Sequence, residues 1–168
     1  AAKHLSSITL ELGGKSPAVV DETADVAMAA ENLMWGKFIN CGQTCIAPDY
    51  IYVHARVKAK FVKACLAALT KFYGTPPKRL HNPDLTHIVN ARHTQRLADL
   101  LGDAQQRGAR VLVGGQIDLE DCMLTPTLLD GVSADARIMQ EEIFGPLLPI
   151  LEYEDVSHAI AHINAQPK

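Results

Sequence analysis

The stretch Ala18-Val19-Val20-Asp21-Glu22-Thr23-Ala24-Asp25-Val26, followed through to Ile51-Tyr52-Val53, decides the fold class. A short apolar run after Pro17 gives way at Thr23, the expected N-cap, with Asp25 placed in the first turn where a carboxylate suits the helix dipole. Val26, Ala30, Leu33 and Met34 then recur at helical spacing, which predicts a helix to about Phe38 that yields near Gly42. Pro48-Asp49 breaks the chain and Ile51 to Val53 reads as the next strand. The same alternation continues outward. Val57, Phe61, Ala64, Cys65, Ala68 and Phe72 mark a helix stopped by Gly74 and Pro76-Pro77, with a loop from Gly74 to about Asn82. A helix from about Asn90 to Arg107 ends at Gly108, a residue able to take the left-handed C-terminal position. Val111 to Val113, Thr127 to Leu129 and Leu147 to Tyr153 read as strands, and Val156, Ala159, Ile160 and Ile163 as a last short helix. Upstream, Ile8-Thr9-Leu10-Glu11-Leu12 alternates with period two and is expected to be a strand ended by Gly13-Gly14. Strands alternating with helices predict an α/β fold, a largely parallel sheet flanked by helices.

Composition narrows the classes. The chain has 168 residues, 48% hydrophobic and 21% charged, with a net charge of −3. Nucleic acid and anionic membranes are not expected as partners, because binding phosphates needs a basic excess. No apolar run approaches the ~20 residues of a membrane span and no signal peptide opens the chain. Four cysteines, Cys41, Cys45, Cys65 and Cys122, do not make a disulfide framework, so a reducing cytoplasm is the expected location. The chain closes on Gln166-Pro167-Lys168 without tail-like composition, and further residues are expected beyond it in the parent protein.

Three clusters could carry chemistry. Cys45 sits in Gly42-Gln43-Thr44-Cys45-Ile46-Ala47-Pro48, where a helix turns into a strand; such a loop can hold a nucleophile, or the thiol can be a buried structural one. Glu11, beside two glycines at the expected C-terminal end of a strand, is either a general base or a solvated carboxylate. In Gln140-Glu141-Glu142-Ile143-Phe144-Gly145-Pro146 the residues alone suggest Phe144 in the core and two wet acids. His158 and His162 share a helix face opposite the apolar stripe and read as solvated, so no metal is expected. Arg56, Lys58, Lys60, Lys63 and Lys71 read as a solvated helix face. No G-x-G occurs anywhere, so these residues offer no phosphate-binding fingerprint.

Leu10-Glu11-Leu12-Gly13-Gly14-Lys15-Ser16-Pro17 resembles the glutamate motif of the NAD(P)-dependent aldehyde dehydrogenases. Gly42-Gln43-Thr44-Cys45 resembles their cysteine motif, and Glu142-Ile143-Phe144-Gly145-Pro146 their nucleotide-contacting segment, in the same order and with 34 positions from Glu11 to Cys45. The form Gln43-Thr44-Cys45-Ile46-Ala47-Pro48-Asp49-Tyr50 is most similar to the class 3 branch, which includes fatty, aromatic and coniferyl aldehyde dehydrogenases. The resemblance implies that Cys45 attacks the aldehyde to give a thiohemiacetal and then a thioester, and that Glu11 activates the hydrolytic water. It implies NAD or NADP as cofactor, with Glu142 on the nicotinamide ribose, Phe144 beside the nicotinamide, Leu12 facing it through its backbone, and His93 and Arg96 touching the cofactor. It further implies that residues 1–168 form a partial catalytic domain. The nucleotide-binding domain, which holds most of the cofactor, and a C-terminal oligomerisation segment are expected outside them, in a parent enzyme that is a homodimer. The isolated fragment is then expected to be inactive on its small-molecule aldehyde. Two other readings stand beside this one: a non-catalytic interaction or structural remnant with an idle thiol, and a redox switch through Cys41 and Cys45.

Overall fold

The computed structural model describes residues 2–166; Pro167 and Lys168, on which the expected continuation rests, lie outside them. Five strands, β1 (Ser16–Val20), β2 (Pro48–His54), β3 (Arg110–Val113), β6 (Thr127–Asp130) and β7 (Leu147–Tyr153), form one sheet in the order β1-β2-β7-β6-β3. The pairs β1/β2, β2/β7 and β6/β7 are parallel and β3/β6 is antiparallel. A two-stranded hairpin, β4 (Ile117–Asp118) with β5 (Met123–Leu124), stands apart. The helices are α1 (Val26–Phe38), α2 (Ala55–Tyr73), α3 (Ala91–Gln106), the single turn α4 (Arg137–Gln140) and α5 (Val156–Ala165).

The apolar stripes place the elements. Val26, Ala30, Met34 and Phe38 of α1 and Phe61, Cys65, Ala68 and Leu69 of α2 are buried in the same core as β2 and β7. Every residue of β2 from Asp49 to His54 is buried, as expected of an inner parallel strand covered on both faces. Pro17 is tolerated in β1 because β1 is an edge strand whose missing donor costs no ladder bond.

Five expectations are corrected. The helix cap is Asp25, whose Oδ1 accepts from Ala27 N and Met28 N at 3.1 Å each. Thr23 instead closes a turn on Asp21, its N–H and hydroxyl donating to Asp21 Oδ1 at 3.0 and 2.8 Å. The expected strand at residues 8–12 does not form; Ile8, Leu10 and Leu12 are 62%, 69% and 72% exposed in irregular chain. Alternation specifies which face of a strand is apolar but not which strand pairs with it, and among the described residues none does. Glu11 therefore lies in an irregular segment and not at a strand end. Lys58 is not solvated: it ion-pairs with Asp130 at 2.8 Å and Glu152 at 3.2 Å, linking α2 to β6 and β7. Within the expected loop after Gly74, Lys78–His81 forms a turn of 3-10 helix. Among the described residues no helix is long and apolar enough to cross a membrane.

Candidate active site

Helix α1 ends in a turn that no ordinary helix terminus needs. Asn40, Cys41 and Gly42 take left-handed backbone in succession, with φ of 50°, 55° and 73°. Asn tolerates this region and Gly prefers it, but for a residue such as Cys41 it costs on the order of 1 kcal/mol, which the surroundings must offset. They do so by close packing. A Cβ on Gly42 would lie 2.4 Å from the carbonyl oxygen of Gly145, so the cysteine loop rests directly on the backbone of the third motif. Cys41 points into the core, where its thiol reaches Leu124 O at 3.8 Å and burial pushes its pKa up to about 12. Cys45, four residues on, is exposed, and Ile46 beside it is 83% exposed.

The two glycines of the first motif are required by contact. Gly14 N–H donates to Glu142 Oε1 at 2.9 Å, and a Cβ on Gly13 would sit 2.0 Å from Glu142 Oε2. A Cβ on Gly14 would meet Cys45 O at 2.8 Å. The glutamate-bearing segment is thus threaded between the cysteine loop and Glu142.

Lys15 fastens all three segments. Its ammonium pairs with the Asp49 carboxylate and donates to Ile138 O at 2.8 Å and Glu141 O at 2.9 Å. The other oxygen of Asp49 accepts from Ile143 N at 2.9 Å. Below them, at the end of α1, the Lys37 ammonium is fully buried without a hydrogen-bond partner among the described residues, and desolvation lowers its pKa to about 8 against the opposing pull of Asp49.

The result is a cleft of about 940 Å³. Glu11, Leu12, Cys45, His93, Arg96, Glu142 and Phe144 all line it, although they come from four separated stretches of chain. Phe144 is not the core residue that its motif alone suggests; it takes left-handed backbone at φ 46° and is 38% exposed. Arg96 lines the cleft, but its guanidinium is engaged with Glu142 O at 3.2 Å, Ile143 O and the Glu141 carboxylate at 3.5 Å, and so holds the third motif in place. His93 is exposed one turn before it. His162 is not simply solvated, since its Nδ1 pairs with Tyr52 OH at 2.8 Å on a different face.

Lys15, Lys37, Asp49 and the side chain of Gln43 were not singled out by sequence. The Gly-Gly-Lys run and the position of Asp49 in the cysteine motif were the available signals. Neither reveals a contact spanning more than a hundred residues.

Comparison with known proteins gives these contacts a context. Residues 1–168 match the aldehyde dehydrogenase family, and the chain belongs to it. It is 48% identical over 168 residues to 4,4'-diaponeurosporen-aldehyde dehydrogenase of Staphylococcus aureus, covering all of this chain and 36% of that protein. To aldehyde dehydrogenase family 3 member A2 of Mus musculus it is 44% identical, again over the whole chain and 33% of the relative. The structure of the substrate-bound state of Staphylococcus aureus AldH superposes with a TM-score of 0.91 at 47% identity, covering 99% of this chain and 35% of that one. The chain spans about a third of the length of the relatives it matches.

Proposed function

We propose that these 168 residues are the thiol-bearing part of an enzyme that oxidises an aldehyde to a carboxylate with NAD(P)+. The observation that carries the reading is the convergence of an exposed thiol, an exposed carboxylate, and a carboxylate beside a partly exposed aromatic residue on one cleft, from segments far apart in sequence. In the mechanism, the Cys45 thiolate adds to the aldehyde carbon and the carbonyl oxygen takes the negative charge, with the Cys45 backbone N–H as one donor to it. When bound, the nicotinamide supplies the hydride acceptor for the oxidation of this adduct to a thioester. Glu11 then takes a proton from water, the hydroxide adds to the thioester carbon, and the C–S bond breaks to return the thiolate and release the acid.

The cleft fits the nicotinamide riboside half of the cofactor. Glu142 keeps Oε2 for ribose hydroxyls while Oε1 accepts from Gly14, and Phe144 and Leu12 offer apolar surface beside it. The chain spans about a third of its relatives' length, and we propose that the remaining cofactor contacts come from the part of such an enzyme outside these residues. We read the chain accordingly as a partial catalytic domain of a homodimeric class 3-like enzyme of the cytoplasm. His93 and, through Glu142 and Ile143, Arg96 shape the cofactor side of the cleft.

Aldehyde protection tests the reading. Millimolar benzaldehyde, added to the native chain, should slow alkylation of Cys45 by iodoacetamide at least threefold while leaving Cys122 unchanged, each followed by peptide mass spectrometry. Equal slowing at both, or at neither, would favour the alternative of a structural remnant whose thiol is idle.

A further inference from the structure

We infer that Gln43 is the positioning residue of Cys45: its carboxamide latches the thiol loop to the segment that leads into α3. The inference rests on the reading of Cys45 as the reacting thiol. Every hydrogen-bonding direction needed from the side chain is used. Oε1 accepts from Val89 N at 3.0 Å, and Nε2 donates to His87 O at 3.0 Å and to Asn40 O at 3.2 Å. An amide that accepts from one backbone N–H and donates to a carbonyl two residues away takes the place of a neighbouring strand. It does so between stretches 44 and 46 residues apart in sequence.

The loop has need of such a tie. Three successive left-handed residues precede Gln43, a conformation that local backbone preference does not maintain. Within the loop, Gln43 N donates to Asn40 O and Asn40 Nδ2 donates to Gln43 O, both at 3.1 Å, which closes the turn on itself but fixes it to nothing else. The Gln43 side chain turns that closed loop outward and fastens it beside the N-terminus of α3, two residues before Cys45. Gln43 lines the same cleft as Cys45, His93 and Arg96, so the latch sets the thiol relative to the α3 side of the site.

The test compares wild type with Gln43→Met, which keeps the length and removes all three bonds without adding charge. A second variant, Gln43→Asn, keeps an amide one methylene too short to reach His87 and Val89. Native protein is alkylated with iodoacetamide, with Cys45 of the same variant unfolded in urea as reference, because the carbonyl of Cys122 accepts from Ile88 N at 2.8 Å and so moves with the latched segment; amide exchange is followed at Val89 and at Ile51 in β2. The latch predicts at least a threefold change in the native-to-unfolded rate ratio of Cys45 in both variants. It also predicts at least tenfold faster exchange at Val89, with Ile51 unchanged. A ratio within twofold of wild type overturns the inference even if Val89 is released. So does equal acceleration at Val89 and Ile51, or loss of folding in both variants, since each makes the contribution purely structural. The wild-type rates alone judge whether Cys45 is activated, so failure of the latch and failure of the functional reading are told apart.

Discussion

Replacing Lys37 with methionine should stabilise the protein although Lys37 sits beneath the candidate site. Its ammonium is fully buried and makes no hydrogen bond to the described residues, and burial brings its pKa from the usual 10.5 to about 8. That difference corresponds to ~3 kcal/mol of folding free energy opposed at pH 7. The sign follows from proton counting. Below pH ~8 the group is charged in both states and the full cost is present. Between about 8 and 10.5 the unfolded chain holds a proton that the folded one has released, so this group's contribution to stability rises with pH. Cys41 and Cys65, whose thiols burial pushes up to about 12, act in the opposite direction above pH ~9, because the folded chain then holds the extra protons. The informative quantity is therefore the difference between Lys37→Met and wild type at each pH. It should be ~3 kcal/mol at pH 7 and fall to ~1.5 kcal/mol at pH 9.5. In a urea titration followed by circular dichroism, with a slope of ~2 kcal/mol/M, the pH 7 midpoint should rise by ~1.5 M. A lower midpoint for the variant, or a difference that does not shrink with pH, would refute the assignment of an unpaired buried charge.

Other consequences follow from the same contacts. Lys15→Met strands the Asp49 carboxylate, which is almost fully buried, and should destabilise by ~3–5 kcal/mol in the same urea assay. Gly42→Ala places a Cβ against Gly145 O with φ at 73° and should cost ~2–4 kcal/mol, read as a fall in melting temperature. Cys45→Ser, at an exposed position, should change stability by no more than ~0.5 kcal/mol while removing the corresponding alkylated peptide. The 168-residue chain with NAD(P)+ and an aldehyde should turn over more slowly than ~1 per second, the low end of ordinary enzymes, because cofactor misplacement near 1 Å already costs ~100-fold. Spectrophotometric detection of NAD(P)H at an ordinary enzymatic rate would contradict this.

Helices α1, α2, α3 and α5 and the inner strands were legible in the sequence because each carries its own signal, whereas the single turn α4 was not read. Val26, Ala30 and Met34 recur at helical spacing, and Ile51 to Val53 is apolar on both faces. Where pairing depends on something outside the segment, the signal was ambiguous. Ile8, Leu10 and Leu12 alternate like a strand yet find no partner among the described residues, and β4 and β5 are too short to show any period. At the site, the motif residues could be named by resemblance, but their support could not. Lys15 and Gln43 look like ordinary surface polar residues in a one-dimensional reading. Only the fold brings Asp49 and Glu141 to the first and His87 and Val89 to the second. Lys37 shows the same limit from the other side, since a lysine at the end of a helix reads as solvated, and here it is enclosed.

The most direct test of the central claim is the alkylation rate of Cys45 in the native chain against the same cysteine in the urea-unfolded chain at pH 7.5. If the cleft activates this thiol, the native rate exceeds the unfolded one at least threefold, while buried Cys41 and Cys65 react only after unfolding. A native Cys45 that reacts no faster than its unfolded counterpart would contradict the account.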